Sequence, residues 1–179
     1  MNIDTKTRLC AVIGNPVEHS LSPAIHNAAF RAAGLNYVYT AFRVEDVAAC
    51  LNGMRALHGF RGLSVTIPHK LAVMEYLDEV DPLAQRVGSV NTITNDEERL
   101  TGTTTDGPGT LRAFEEAGVS LDGKRVLFIG SGGAVRAVAF AVAELTRAES
   151  LTVIGRTPSR VAAIVDDVVA KTAMPIAAA

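Results

Sequence analysis

The sequence predicts an α/β fold in which an open, mostly parallel sheet with helices on its faces is followed by part of a second α/β unit. Short apolar runs alternate with amphipathic segments along the chain, and Gly, Pro or Asn residues mark the turns between them. Near residue 130 a glycine-rich turn separates a strand from a helix. Since 48% of the 179 residues are hydrophobic and 20% are charged, the chain can form a globular core.

Composition and charge exclude several classes of protein. The 17 basic and 19 acidic residues are interspersed, which argues against a nucleic-acid partner. No apolar run reaches the roughly 18 residues of a membrane span, so we expect no membrane insertion and a cytosolic, cytoplasmic location. Cys10 and Cys50 stand apart in apolar surroundings, which favours reduced core thiols over a disulfide or a metal pair.

The first unit is predicted to alternate strands with helices. Strands are expected over residues 9–13, 37–44, 62–67 and 90–94, with helices over 22–33, 45–57 and from 68 onward. Ser22 and Pro23 supply an N-cap and a first-turn proline for the first helix, and Gly34 ends it. The strand, helix, strand order predicts a parallel sheet, because such connections place successive strands in the same direction.

A second unit is expected to begin near residue 101, which divides the chain into residues 1–101 and 102–179. Strands are predicted over residues 124–129 and 151–154, with helices over 108–117, 134–144 and 158–170. The first of these strands contains the apolar run from Val126 to Ile129 and is expected to be buried. This order describes a βαβα unit whose first strand-to-helix turn is rich in glycine.

The glycine turn consists of Gly130, Ser131, Gly132, Gly133 and Ala134. Gly130 can form a tight turn, Gly132 lets the backbone approach a pyrophosphate, and Gly133 and Ala134 leave room for the helix to pack on the strand. The start of that helix would present free N–H groups to the anion. The pattern favours a dinucleotide site, although glycine-rich loops also occur without a ligand.

Residues after the second strand of that unit indicate which dinucleotide is bound. A carboxylate that would hold the ribose hydroxyls of NAD is missing from Gly155, Arg156 and Thr157. Because a guanidinium and a hydroxyl suit a 2′-phosphate, NADP is the predicted cofactor. Two alternatives stay open, namely that Arg156 is a solvated surface residue and that Thr157 caps the next helix.

Six segments together resemble the shikimate dehydrogenase family from residue 9 to the end of the chain. They are GNPVEHSLSPAIHNAAF, SVTIPHK, GSVNTI, TTDGPGT, GSGGA and GRTPSR. The resemblance implies an N-terminal substrate domain, a Rossmann-type NADP-binding domain and an active site in the cleft between them. It implies reversible reduction of 3-dehydroshikimate to shikimate with NADPH, in aromatic amino acid biosynthesis.

Lys70 follows a predicted strand, at the edge of the sheet where open α/β folds bind their ligands. By resemblance Lys70 is the catalytic lysine and Asp106 is its acidic partner. A pair of this kind can supply the proton that a ketone oxygen needs after hydride transfer, and which of the two moves it stays open. The alternatives are an exposed lysine at a helix start and an aspartate that caps the helix beginning near Pro108.

Ser20 and Ser22 precede a helix and suit the carboxylate of a small ring acid, whereas Ser22 also reads as an ordinary N-cap. The resemblance carries over hydroxyl contacts and cofactor contacts at the matching positions. The substrate residues are Ser20, Ser22, Thr66, Lys70, Asn91 and Asp106; the cofactor residues are Gly130, Ser131, Gly132, Gly133, Ala134, Arg156, Thr157 and Arg160. No metal is expected, because hydride transfer from a nicotinamide requires none.

Other functions stay open at this point. Ser64 and Thr104 stand where the family commonly has Asn, so a quinate or aminoshikimate enzyme is one alternative. The family continues beyond the match to Ala179, so the chain is expected to be a fragment, with a non-catalytic binding module or half of a split protein as the alternative of another class. A homodimer is one candidate for the assembly.

Overall fold

The computed structural model describes residues 3–179, which form two compact units. The first holds the chain up to Ala84 together with Val90–Thr103, and the second holds Gln85–Ser89 and Thr104–Ala179. Assignment of a substrate domain to residues 1–101 and of a cofactor domain to residues 102–179 stays a prediction.

A six-stranded sheet forms the centre of the first unit. Its strands are β1 (Arg8–Gly14), β2 (Tyr37–Arg43), β3 (Phe60–Val65), β4 (Glu79–Val80), β5 (Thr92–Asp96) and β6 (Arg99–Thr103), in the order β2-β1-β3-β5-β6-β4. The helices are α1 (Ser22–Ala32), α2 (Val47–Ala56) and α3 (Pro82–Val87), the last of which continues into the second unit.

The sheet is mostly parallel, as predicted, because β1 pairs in parallel with β2 and β3, and β4 with β6. The exception is β5, which the strand, helix, strand order predicted to be parallel but which runs antiparallel to both β3 and β6. Glu97 and Glu98 form the tight turn between β5 and β6, with φ angles of 48° and 72°. Neither residue is glycine, so the sequence lacks the usual signal for a two-residue hairpin turn.

Two apolar layers cover the two faces of this sheet. The main layer packs Ile13, Leu63 and Ile93 against Leu51 and Met54 of α2, and all five side chains are buried. The Asp46 carboxylate accepts a hydrogen bond of 2.9 Å from the Ala49 amide and so caps the start of α2. On the other face, Val12, Val17 and Tyr39 form a smaller cluster that Phe30 of α1 covers.

The helix predicted from Pro68 onward is instead a turn followed by a short 3-10 segment, Ala72–Tyr76. The Lys70 carbonyl accepts its hydrogen bond from the Val90 amide at 2.9 Å, and Met74 bonds back to Leu71 at the shorter 3-10 spacing. Because the Lys70 carbonyl is committed to Val90, the α-helical ladder does not continue beyond the single bond from the Val73 amide to the His69 carbonyl.

The second unit is a three-stranded parallel sheet flanked by helices. It contains β7 (Arg125–Ile129), β8 (Ser150–Ile154) and β9 (Ile176–Ala178), in that order, with α4 (Asp106–Glu116), α5 (Gly133–Leu145) and α6 (Pro158–Lys171). Two strands were predicted, and β9 is the third. The expectation that β7 is buried is wrong, since Leu127 is 55% and Ile129 is 80% exposed. Exposed and half-buried residues alternate along β7, so one face of the strand is left uncovered.

None of the helices within residues 3–179 has the length and apolar character needed to cross a membrane.

Candidate active site

Lys70 lies in the turn that follows β3, and several hydrogen bonds hold this turn in place. The His69 amide donates to the Thr66 carbonyl at 3.0 Å, and the Val90 amide donates to the Lys70 carbonyl at 2.9 Å. The imidazole of His69 is buried and forms a 2.8 Å hydrogen bond with the carbonyl oxygen of Val44. Lys70 itself is half-buried, which contradicts the alternative of an exposed lysine at a helix start.

Thr66 follows the last residue of β3 and lies against the loop that follows β1. The Thr66 amide donates to the Ile13 carbonyl at 2.9 Å, and the Asn15 amide donates to the Ile67 carbonyl at 3.0 Å. A Cβ atom on Gly14 would lie 2.5 Å from the Thr66 methyl group, so glycine is required for this close approach. Two predicted features, the strand end and the loop after β1, thus meet at the carboxyl edge of the sheet.

The loop that leaves this edge carries Ser20 and Ser22. Their hydroxyl oxygens lie 3.1 Å apart, and the Ser22 amide donates to the Ser20 hydroxyl oxygen at 3.3 Å. The N-cap residue of α1 is Leu21, and Ser22 is the first residue of the helix. The N-cap interpretation of Ser22 is therefore wrong, and its half-buried side chain is not used for capping.

Asn91 immediately precedes β5 and reaches the same edge, because β5 runs antiparallel to β3. Its carbonyl accepts from the Val65 amide at 2.7 Å, and its own amide donates to the Thr103 carbonyl at 3.1 Å. The Thr92 hydroxyl donates to the Asn91 side-chain oxygen at 3.0 Å. Ser20, Ser22, Thr66, Lys70 and Asn91 therefore all belong to the first unit.

Asp106 belongs to the second unit, so its pairing with Lys70 stays a prediction. It is the half-buried first residue of α4, and Thr105 occupies the N-cap position without a capping side-chain bond. The alternative that Asp106 caps a helix beginning at Pro108 is therefore wrong. Gly107 holds α4 close to α5, since a Cβ atom on it would lie 2.6 Å from the Ala137 carbonyl oxygen.

The glycine turn lies between β7 and α5, as the sequence predicts. Gly130 has a φ of 127°, a conformation that favours glycine, and its amide donates to the Ile154 carbonyl at 2.7 Å. Gly132 and Gly133 are exposed, and a Cβ atom built on either would have no neighbour within 4 Å. The start of the 13-residue helix α5 thus has open space in front of its N–H groups, which fits a dinucleotide pyrophosphate.

Residues after β8 complete this second surface. A Cβ atom on Gly155 would lie 3.1 Å from the Ser131 hydroxyl, so the glycine turn packs directly on the end of β8. Arg156, Thr157 and Arg160 are exposed beyond that point. Thr157 occupies the N-cap position of α6, but its hydroxyl forms no capping bond, which removes capping as the reason for a threonine here. These side chains fit the predicted NADP contacts.

Two residues of the first unit were missed by the sequence analysis. His69 was assigned no role, although a polar side chain beside Lys70 in an apolar turn was a signal for an internal hydrogen bond. Tyr39 was read as part of an alternating strand, but its hydroxyl donates to the Ser64 hydroxyl oxygen at 2.6 Å. Nothing in the local pattern identifies that partner, because the two residues are 25 positions apart.

Chemically, the first unit presents a lysine ammonium, three hydroxyls and an amide from the carboxyl edge of one sheet. Hydroxyls and an amide suit the carboxylate and hydroxyl groups of a small polyol acid, and an ammonium can bind an oxygen atom or deliver a proton to it. The second unit presents backbone amides and two arginines, which suit phosphate groups.

Comparison with known proteins agrees with these features. Residues 12–93 match the family model described as the shikimate dehydrogenase substrate binding domain. The NADP(+) shikimate dehydrogenase of Moorella thermoacetica is 54% identical over 162 residues, which cover 89% of this chain and 54% of that protein. The chain spans about half the length of the curated relatives it matches.

Solved structures give the same result for the fold. A Listeria monocytogenes shikimate 5-dehydrogenase in complex with shikimate and NAD superposes with a TM-score of 0.93 at 37% identity, covering 100% of this chain and 63% of that one. A 5-ketofructose reductase of Gluconobacter has a TM-score of 0.90 at 30% identity, covering 98% of this chain and 63% of that one. The fold therefore also occurs with another reductase activity. From its motifs, its fold and these relatives, the chain is similar to shikimate dehydrogenases over most of its length, and residues 12–93 belong to the family of their substrate binding domain.

Proposed function

We propose that this chain carries the substrate site and part of the NADP site of an enzyme that reversibly reduces 3-dehydroshikimate to shikimate. The observation that carries the proposal is the position of Lys70, half-buried at the carboxyl edge of the first sheet beside Thr66 and Asn91. A lysine held by backbone bonds at a ligand-binding edge is suited to act on a bound oxygen atom. NADPH, when bound, supplies the hydride for the ketone carbon.

In this proposal the residues of the first unit bind and orient the ring acid. Ser20 and Ser22 donate hydrogen bonds to its carboxylate near the start of α1, where the helix dipole favours an anion. Thr66 and Asn91 bind its hydroxyls. Lys70 and Asp106 hold the reacting oxygen, and one of them donates a proton to it as the hydride arrives.

In the second unit, the backbone amides from Gly130 to Ala134 bind the pyrophosphate. Arg156, Thr157 and Arg160 bind the 2′-phosphate, which selects NADP over NAD. A cytoplasmic location and a homodimer stay predictions.

The test is an assay of the protein encoded by the native gene, with shikimate and NADP, in which NADPH formation is followed by absorbance. We expect turnover with shikimate, and turnover with quinate that is at least tenfold slower at equal concentration. A difference of about tenfold is what one lost or mispaired polar contact with the substrate would cause. A protein that oxidises quinate or an aminoshikimate faster than shikimate would contradict the substrate assignment. A protein that turns over none of the three would contradict the enzyme assignment and favour a binding module.

The 179-residue chain should be assayed in parallel. Since it spans about half of its curated relatives, we expect it to bind shikimate weakly and to show at most slow turnover. Turnover equal to that of the native gene product would contradict the expectation that further segments complete the site.

A further inference from the structure

Tyr39 is joined to α1 through three side-chain contacts. The Tyr39 amide donates to the side-chain oxygen of Asn27 at 2.9 Å, and the Asn27 side-chain amide donates to the Tyr39 carbonyl at 2.8 Å. The same amide donates to the Pro23 carbonyl at 2.8 Å, one residue from Ser22. The imidazole of His26 stacks on the Tyr39 ring, with a centroid distance of 4.3 Å and an interplanar angle of 7°. The backbone of residue 39 therefore holds α1 through Asn27, and the Tyr39 ring adds the stack on His26.

The hydroxyl of Tyr39 reaches across the sheet to β3. Tyr39 lies on β2 and Ser64 on β3, and β1 runs between them with Cys10 opposite Tyr39 and Val12 opposite Ser64. The Tyr39 hydroxyl nevertheless donates to the Ser64 hydroxyl oxygen at 2.6 Å. Tyr39 is only 5% exposed, and burial raises the pKa of its phenol, so the phenol stays a protonated donor at neutral pH.

Ser64 is close to the proposed substrate residues in the same sheet. It lies two positions before Thr66 and is paired in register with Thr92, whose hydroxyl donates to Asn91. Tyr39, Ser64 and Thr92 line one cavity of about 280 Å³. Because Tyr39 donates to the Ser64 oxygen, the Ser64 hydroxyl keeps its own hydrogen for another acceptor.

We propose that Tyr39 is a positioning residue for the polyol-acid site, holding the start of α1 with Ser22 and directing the Ser64 hydroxyl of β3 so that it donates toward a substrate oxygen. The inference rests on the proposed function. Its physical basis is that one buried side chain stacks on His26 of α1 through its ring and bonds Ser64 of β3 through its hydroxyl. If the hydroxyl bond is lost, the Ser64 side chain gains freedom that substrate binding must then remove.

The test is a double-mutant cycle in the protein encoded by the native gene, with Tyr39→Phe, Ser64→Ala and the double variant. Each single variant should raise the KM for shikimate by roughly two- to tenfold, the value of one neutral hydrogen bond, and leave the KM for NADP unchanged. The double variant should show no further rise over Ser64→Ala alone, because Tyr39 is proposed to act through the Ser64 hydroxyl. Tyr37→Phe is the matched control on the same strand and should leave both KM values unchanged.

Three outcomes would overturn the role of Tyr39. The first is an unchanged KM for shikimate in both single variants, and the second is additive effects in the double variant. The third is an equal rise in the KM values for shikimate and NADP together with a lower Tm, which is the result expected of a purely structural role. If Tyr39→Phe fails to fold, the shikimate KM of Ser64→Ala still tests the inference, since an unchanged value would mean that the Ser64 hydroxyl does not act on the substrate. Native protein that does not oxidise shikimate would instead overturn the proposed function, and this inference with it.

Discussion

The imidazole Nε2 of His69 lies 2.8 Å from the carbonyl oxygen of Val44, so the residue before Lys70 ties the turn after β3 to the end of β2. A carbonyl can only accept a hydrogen bond, and Nε2 must therefore carry the hydrogen. His69 is 6% exposed, which excludes water as an easy substitute partner. The turn that carries Lys70 thus depends on a contact between residues 25 positions apart.

His69→Leu should lower the free energy of unfolding by about 1–3 kcal/mol, because the Val44 carbonyl loses its donor. His69→Gln should recover part of that loss, since its side-chain amide can also donate. Urea unfolding of the 179-residue chain measures both values. The exposed His58 provides the control variant His58→Leu, for which we expect a change within about 0.5 kcal/mol. Equal losses for His69→Leu and His58→Leu would argue against a structural role of this contact.

Lys70→Ala should lower kcat for shikimate oxidation by about 10²- to 10⁴-fold, with a smaller effect on KM, because the variant lacks the group that binds or protonates the reacting oxygen. Steady-state kinetics on the protein encoded by the native gene is the measurement. Lys6→Ala, which removes an exposed ammonium, is the control and should leave kcat unchanged. Unchanged turnover in Lys70→Ala would remove Lys70 from the mechanism.

Arg156→Ala should raise the KM for NADP by roughly 10- to 100-fold, the value of a charge-assisted bond to phosphate, while the KM for NAD changes by less than about twofold. The physical reason is that only NADP carries the 2′-phosphate. Initial rates with each cofactor measure the effect, and the exposed Arg147 provides the control variant Arg147→Ala. Equal effects on the two cofactors would show that Arg156 does not contact the 2′-phosphate.

Two glycines of α4 should respond in opposite ways to alanine. A Cβ atom on Gly107 would lie 2.5 Å from the Ala141 Cβ and 2.6 Å from the Ala137 carbonyl oxygen, whereas one on Gly109 has no neighbour within 4 Å. Gly107→Ala should destabilise the fold by about 1–3 kcal/mol through overpacking. Gly109→Ala should stabilise it by about 0.5–1 kcal/mol through helix propensity. Thermal unfolding of both variants is the measurement. A Gly107→Ala variant with the same Tm as the wild type would disprove the close packing of α4 on α5.

Asp78 should contribute to the acid sensitivity of the first unit. The Arg55 guanidinium, at 2.6 Å, and then the Leu100 amide, at 2.7 Å, hold the pKa of the Asp78 carboxyl below its usual value of 3.8. Since the folded-state pKa is the lower one, this stabilisation is present above pH 3.8 and is lost as the pH falls through the folded-state pKa.

Asp78→Asn should therefore lower the free energy of unfolding at about pH 7 and reduce the further loss between about pH 4 and pH 2. Urea unfolding across this range is the measurement, with Glu149→Gln, at an exposed carboxylate, as the control. If wild type and Asp78→Asn lose stability in parallel as the pH falls, the carboxylate of Asp78 is not responsible for the acid sensitivity.

Much of the fold was predictable because its signals are local. Gly34 and Gly118 end α1 and α4 with positive φ angles, and the glycine turn after β7 begins α5 as expected. The hairpin of β5 and β6 was not predictable, because its turn at Glu97 and Glu98 has no glycine to announce it. The 3-10 segment after Lys70 was missed for a similar reason, since the carbonyl of Lys70 bonds to Val90, twenty residues away.

By itself the sequence determined the alternation from β1 to β3, the glycine turn, and the residue types at the strand ends where a site was expected. Each of these depends on neighbours within a few positions. Only the tertiary structure decided which partner the buried side chains of Tyr39 and His69 would find, and that β7 would lie exposed at a sheet edge. The reason is that hydrogen-bond partners and burial depend on which strands become neighbours, and strand pairing joins residues that are distant in the chain.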